Sequence, residues 1–496
     1  SAVLALLFAL LAVAAAVADA RWLLRLYPVF HAALALIVVV GASMAAWVLP
    51  LRLGHLRGHA GFVPFMRGLT VLLVLSVGAL PFMLRRAALA PNLAFVVADY
   101  TSVTGKLLQL AMQLDSTAPS SDEAPEVAEH RGEAATSLGA ETRTGLRLES
   151  RNVLLITVDA LRADRIGGAR GLTPNVDALA AESAVFSHAY TPTPHTSYAL
   201  SSMLTGKYLR PVLELPNAPS QHVALPELLR RYGMRTAAFY PPAIFFVDAH
   251  RFEALREGHF GFEYRKEMFA SAQARVPQLR EYLESLDAED AENAENGAQR
   301  EVFAWVHLFE PHEPYEPAER FARGDSAEDR YDGEVAAVDD AIRQLVQVFR
   351  EHRPGGTVVI SADHGEEFGD HGGLYHGSTL YEEQVRIPLI WSTPGLVPAR
   401  TLAAPVELVD VATTLLAALA IPRDARMRGD DLGPLLVHGE GGPEFAFAEV
   451  GDARMVTDGV HKAICESDSN RCQLYDLLAD PRERRNLAGE QPETLA

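Results

Sequence analysis

Apolar residues gather in three long runs near the start of the chain and afterwards break into short blocks separated by charge. Residues 2–18 (AVLALLFALLAVAAAVA) carry no charge, residues 29–50 (VFHAALALIVVVGASMAAWVLP) are broken only by His31, and residues 68–84 (GLTVLLVLSVGALPFML) end at Arg85-Arg86. A helix that crosses a bilayer needs about 20 apolar residues, within a range of about 17 to 25. The second run meets that length and the others reach its short limit, so about three transmembrane helices are expected. The chain opens on Ser1, so the first run is expected to be cut short. A cleavable signal explains one such run and not three. Residues 91–114 contain Asp99 and Lys106 and predict an interfacial or amphipathic helix, which closes a membrane region at 1–114. Residues 115–150, rich in Ala, Glu, Ser and Pro without apolar periodicity, predict a flexible acidic linker.

Beyond residue 151 the period changes. Near-continuous apolar runs at 152–158 (NVLLITV), 303–307 (FAWVH) and 357–361 (TVVIS) predict strands buried on both faces. Residues 337–351 and 409–418 predict helices. Strands alternating with helices predict an α/β domain with a mainly parallel sheet, whose functional edge is the carboxyl ends of its strands. Residues 461–465 and 473–476 predict a hairpin with Cys465 and Cys472 at its mouth. Those cysteines are either a disulfide, which implies an oxidising compartment, or two free thiols. The acidic stretch 287–299 reads as a surface insertion.

Composition narrows the function classes. At 496 residues the chain exceeds one ordinary domain, and 22% charged with 49% hydrophobic residues exclude a largely disordered chain. The net charge is −20, unevenly spread. Eight Arg or Lys against Asp19 and Asp99 make the first 112 residues positive, while the remainder holds 36 basic and 62 acidic residues. A net acidic soluble part argues against a nucleic-acid partner. Two cysteines exclude a disulfide scaffold and a Cys-rich zinc module. Arginines flank every apolar run, so charge alone assigns no orientation to them.

Three segments carry candidate chemistry at the predicted strand ends. Asp159 follows the first strand and Asp363-His364 another, and together they offer hard oxygen and imidazole ligands for one divalent cation. Helix capping by Asp159 and a plain turn at Asp363-His364 are the structural alternatives. In residues 191–208 (TPTPHTSYALSSMLTGKY), Thr196 opens a short predicted helix. The helix field and a ligand bond would both acidify its hydroxyl and activate it as a nucleophile; the alternative is an N-cap.

The segments NVLLITVDALRADRIG, HTSYALSSMLTGKY, HLFEPHEPY, SADHGEEFGDHG, LYEEQVRIPLI and QLYDLLADPRERRNL follow one another as in the alkaline phosphatase/sulfatase superfamily. This resemblance covers residues 152–487 and implies an alkaline-phosphatase-like α/β/α sandwich at 151–496. It also implies a small C-terminal antiparallel subdomain at about 440–496. It makes Asp159, Thr196, Asp363 and His364 the metal ligands, for one ion of Mn, Zn, Mg or Ca. Glu310, His312 and His376 are the residues that could assemble a second. His312 and His376 resemble positions for substrate contact or leaving-group protonation. Lys207 is a weaker phosphate-binding candidate, with a solvated surface charge as its alternative. His195, His307 and His371 stand between functional and structural roles, and the pairs Glu366-Glu367 and Glu382-Glu383 are expected to cap helices or form ion pairs.

Thr196 stands where sulfatases carry the cysteine or serine converted to formylglycine. Tyr198 and Leu200 replace the proline and arginine of the sulfatase signature, and Gly377 replaces a common lysine. A threonine resembles instead the nucleophile of phosphoethanolamine transferases, lipoteichoic acid synthases and nucleotide pyrophosphatase/phosphodiesterases. The sequence therefore reads as a multi-pass membrane protein with an extracytoplasmic, metal-dependent hydrolase or transferase domain. Its expected partners are a small-molecule or lipid-linked phosphoester or sulfate ester and the membrane. A sulfatase using an unmodified threonine and a non-catalytic, envelope-binding relic are the rival readings.

Overall fold

The computed structural model describes residues 145–495, apart from 169, 209–222, 246–251, 253–254, 256–257, 293–298 and 468–470. The three apolar runs, the 91–114 segment and residues 115–144 lie outside the described residues. Among the described residues no helix is long and apolar enough to cross a membrane. The expectation of a multi-pass membrane location is corrected accordingly: the longest described helix, at 26 residues, is studded with charge rather than uniformly apolar.

In chain order the elements are β1 (Val153–Val158), α1 (Pro174–Ala180), β2 (Ala184–Tyr190), α2 (Thr196–Thr205), α3 (Leu225–Arg231), β3 (Arg235–Tyr240) and β4 (Tyr264–Glu267). Then come α4 (Ala272–Glu292), β5 (Val302–Leu308), α5 (Ala327–His352), β6 (Thr357–Ala362), β7 (Glu367–Phe368), β8 (Leu374–Tyr375), α6 (Glu382–Val385) and β9 (Arg386–Ser392). β10 (Arg400–Leu402), β11 (Val406–Glu407) and α7 (Asp410–Ala418) complete the larger part. Its nine-stranded sheet runs β10-β2-β9-β6-β1-β5-β3-β4, with β11 paired to β2.

Every residue of β1, β5 and β6 is buried, as their unbroken apolar character demands. Helices α1, α4 and α5 form one packed group and α2, α3 and α7 another, so both faces of the sheet are covered. The sheet is mixed rather than wholly parallel: β9 runs antiparallel to β2 and β6. A parallel strand needs a crossover back to the opposite edge. Between β6 and β9 the chain makes only the small β7–β8 hairpin and the one-turn α6, so it re-enters the sheet from the edge it left.

Helix α5 begins ten residues before the predicted 337. A capping box starts it, with Ser326 Oγ accepting from Asp329 N at 3.0 Å and Asp329 accepting from Ser326 N at 3.3 Å. Packing likewise starts ahead of residue 151: Leu146 and Leu148 are buried, and Leu148 N donates to Ala418 O at 3.0 Å. The acidic stretch expected as an insertion begins inside α4, where Asp287 receives Arg353 Nη1 at 2.6 Å.

The C-terminal part is a four-stranded antiparallel sheet, β12 (Ala446–Val450), β13 (Ala453–Thr457), β14 (His461–Glu466) and β15 (Arg471–Asp476), in that order. Cys465 and Cys472 face one another across β14 and β15 and form a disulfide, which resolves the alternatives left by the sequence.

Candidate active site

Two strand ends bring the acids together. β1 and β6 are parallel neighbours with Val158 opposite Ala362, so the next residues, Asp159 and Asp363, emerge side by side at the carboxyl edge. On the other flank β5 places His307 opposite Thr157. Asp159, His307 and Asp363 are buried, and one ligand atom from each lies within 4.8 Å of the others. His364 Nε2 faces the same point, 3.6 Å from Asp159 Oδ1 and 3.5 Å from Asp363 Oδ2.

The electrostatics of this cluster call for a cation. Burial and the neighbouring Asp363 push the Asp159 carboxyl far above the usual carboxylate range. Burial raises Asp363 as well, opposed by His307 and by the amides of Ala160 and His364. Asp159 Oδ1, Asp363 Oδ2 and His307 Nε2 have no hydrogen-bond partner although buried. Orphaned buried acceptors are costly, and a divalent ion would satisfy all three together. Burial lowers His307 to about 4, leaving it the neutral imidazole that metal ligation requires. His364 is held neutral by burial and by His376. Its Nδ1 lies 2.9 Å from Gly365 O, which can only accept, so the Nε2 lone pair is free to face the site.

Thr196 is the first residue of α2, and the cap position is His195. Its hydroxyl is therefore not an N-cap; Oγ1 lies 3.0 Å from His364 Nε2. The N-terminal field of α2 favours negative charge at that oxygen.

His312 and His376 join this centre. Their rings lie 5.1 Å apart, and His376 lies 4.1 Å from the His364 ring. Burial alone would lower His312, but the carboxylates of Asp159, Glu313 and Glu366 outweigh it and push it up to about 9. Its Nδ1 donates to Glu313 O at 2.7 Å.

The structure also separates residues that sequence left together. Glu366 caps no helix and is fully buried; its two oxygens lie 3.0 Å from His376 Nδ1 and 2.9 Å from the Tyr315 hydroxyl. Lys207 is 1% exposed, not solvated, and its charged neighbours are Arg426, Asp424 and Arg428 rather than the Thr196 cluster. Glu310 turns away to accept from Ala272 N at 3.1 Å, and among the described residues a second ligand cluster around it is absent. His371 stacks on Tyr381 at 3.6 Å and bonds Glu383 and Glu483 O, a bridge to the C-terminal segment. His195 packs edge-on against Tyr198 at 5.2 Å.

A sulfatase family model matches residues 151–421. An ulvan-active sulfatase from Formosa agariphila is 25% identical over 399 residues, covering 68% of this chain and 77% of that protein. Arylsulfatase K from Xenopus laevis is 33% identical over 159 residues, 28% of this chain and 29% of its own length, so the match spans under a third of that relative. Phosphonate monoester hydrolase of Agrobacterium radiobacter superposes with a TM-score of 0.53 at 18% identity, covering 69% of this chain and 92% of that one. A protein solved with its substrate D-glucosamine-2-N,6-O-disulfate superposes with a TM-score of 0.57 at 17% identity, covering 69% and 95%. The last two share the fold.

Proposed function

Since this chain belongs to the sulfatase family, we propose that it hydrolyses phosphoesters with Thr196 as nucleophile, through a covalent phosphothreonine. The observation that carries this reading is the Thr196 hydroxyl at the head of α2, 3.0 Å from His364 Nε2 and beside the buried acid cluster. A threonine cannot be converted to formylglycine, so its own oxygen must attack.

Asp159, Asp363 and His364 would hold a divalent ion, with Thr196 Oγ1 and His307 Nε2 within reach of it. Bound there, such an ion acidifies the Thr196 hydroxyl and polarises a non-bridging ester oxygen. Thr196 Oγ1, ionised, attacks phosphorus in line, and the bond from phosphorus to the departing oxygen breaks. His376 Nε2 gives that oxygen its proton. Positively charged His312 faces the charge that develops on the equatorial oxygens. Water then attacks phosphorus, its proton passes to His376 Nε2, and Thr196 leaves as it entered. An acceptor hydroxyl in place of water would turn hydrolysis into transfer, recognisable by the absence of free phosphate.

A second reading, sulfate-ester hydrolysis by the same threonine, is favoured by the 399-residue similarity to the ulvan-active sulfatase. Both are tested on the full chain, loaded in turn with Mn, Zn, Mg and Ca. It is incubated with 4-nitrophenyl phosphate, bis(4-nitrophenyl) phosphate, 4-nitrophenyl phenylphosphonate and 4-nitrophenyl sulfate. Intact mass should show a covalent gain with a phosphorus ester that is lost in Thr196→Ala. Turnover of the sulfate alone would select the second reading, and turnover unaffected by Thr196→Ala would overturn both.

A further inference from the structure

Glu366 has no part in the attack, yet its amide, its carbonyl and both its carboxylate oxygens are all engaged. Its amide donates to Glu383 O at 2.8 Å, and its carbonyl accepts from Arg162 Nη1 at 2.9 Å. Its side chain is wholly enclosed. One carboxylate oxygen lies 3.0 Å from His376 Nδ1 and the other receives the Tyr315 hydroxyl at 2.9 Å. As a carboxylate Glu366 accepts at both oxygens, from the Tyr315 hydroxyl and from an Nδ1–H of His376. That leaves Nε2 as the one ring atom free to exchange a proton, given up by the imidazolium and taken back by the Nδ1–H imidazole.

The backbone around His376 is bent to deliver it there. Tyr375 has a φ of 68°, in the left-handed region that residues with a side chain rarely adopt, and Gly377 follows with a φ of 80°. The loop thus turns His376 back toward the Glu366 carboxylate and the ring of His364. A costly conformation beside a buried carboxylate–imidazole pair is the signature of a held orientation.

We propose that Glu366 is the positioning residue of His376. It holds the imidazole so that Nε2 protonates the departing oxygen and then takes the proton of the attacking water. The inference rests on the reading of His376 given above and extends it to the substrate. A positioned proton donor matters only where the departing oxygen is strongly basic. The ester this site is built for is therefore that of an aliphatic or sugar alcohol rather than of an activated phenol. In the first step the Oγ1–P bond forms, the P–O bond to the alcohol breaks and the Nε2 proton moves to that alcohol. In the second, water's oxygen bonds phosphorus, the Oγ1–P bond breaks and Nε2 regains a proton.

The test uses the full chain, metal-loaded, and a leaving-group series at constant transferred group: 4-nitrophenyl, phenyl and alkyl esters of phenylphosphonate. Glu366→Ala should change kcat little for the 4-nitrophenyl ester and lower it about 100-fold for the alkyl ester, with KM nearly constant. His376→Ala should show the same slope, and the double variant should be no slower than His376→Ala alone, as for residues that act as one unit. Glu366→Gln, which keeps the size and can still accept from Nδ1, should recover most of the alkyl-ester rate. It also carries the test if the alanine variant does not fold. A uniform loss across the series, a loss confined to KM, or additive losses in the double variant would overturn the proposal. If His376→Ala is steep and Glu366→Ala flat, this inference alone falls. If His376→Ala is itself flat, the acid role of His376 falls and takes this inference with it, while Thr196→Ala still tests the nucleophile.

Discussion

The amide of Ala160 donates to Asp363 Oδ1 across 3.1 Å, joining the residue after one strand to the acid after its neighbour. Ala160 reaches there because its φ is 56°, in the left-handed region. Its carbonyl receives the Tyr331 hydroxyl at 2.7 Å, which anchors the bend against α5. Left-handed backbone costs a non-glycine residue roughly 1–2 kcal/mol. Glycine relieves that but loosens the unfolded chain by about 0.4–1 kcal/mol. Ala160→Gly should therefore be neutral to slightly stabilising. Ala160→Val, β-branched at a positive φ, should lose about 1–3 kcal/mol and weaken divalent-ion binding by freeing the Asp363 carboxylate. Thermal melts with and without metal would check both, and equal melts for the two variants would defeat the argument.

Chelation should destabilise the protein, because the cluster of Asp159, His307 and Asp363 then keeps three buried atoms without partners. An ion at about 100 times its dissociation constant adds about 2.7 kcal/mol. Asp159→Asn removes one of two like charges and should raise the melting temperature of the chelated protein. It should also abolish most of the shift produced by added metal. If metal moves the variant and the wild type equally, Asp159 is not a ligand.

How much of this could be read from sequence depended on whether the signal was local. The runs 152–158, 303–307 and 357–361 are apolar on both faces, and each became a fully buried strand. Asp159 and Asp363-His364 were found because a strand end is visible in sequence. His307 was left undecided, since only the register of β5 against β1 places it opposite Thr157 and beside the acids. Glu366 was read as a cap or ion pair because its partners, His376 and Tyr315, come from two other loops. A lysine after a helix reads as surface charge, whereas Lys207 is buried with the distant Asp424, Arg426 and Arg428 as its charged neighbours. The direction of β9 was hidden for the same kind of reason: the segment before it makes no crossover, and apolar content alone carries no direction.

Lys462 latches the C-terminal sheet to the loop region that bears His376. It is fully buried on β14, with Nζ 3.0 Å from Glu382 Oε1 at the start of α6 and 3.0 Å from Glu483 Oε1. Removing one partner of a buried ion pair costs about 3–5 kcal/mol, since the remaining charge is left uncompensated. Lys462→Met should cost that much by denaturant titration. Adding Glu382→Gln and Glu483→Gln should return most of it. A methionine variant as stable as the wild type would show that the carboxylates find other partners.

Glu334 gives a pH dependence away from the metal cluster. It is buried on α5, Oε1 accepts from Glu316 N at 2.7 Å, and Oε2 has no partner. Burial, reinforced by Glu310 and Glu316 against that one amide bond, pushes its carboxyl up to about 8. The folded protein therefore keeps this proton where the unfolded chain, with an ordinary glutamate near about 4.3, has released it. Between those values the folded state binds more protons, so stability falls as pH rises, by at most about 1.4 kcal/mol per pH unit from this group. Glu334→Gln keeps the bond to Glu316 N and cannot ionise. Its melting temperature should match the wild type at about pH 4 and exceed it increasingly up to about pH 8, where the gap levels off. A gap independent of pH would mean that the Glu334 carboxyl titrates alike in both states, and its burial would then carry no electrostatic cost.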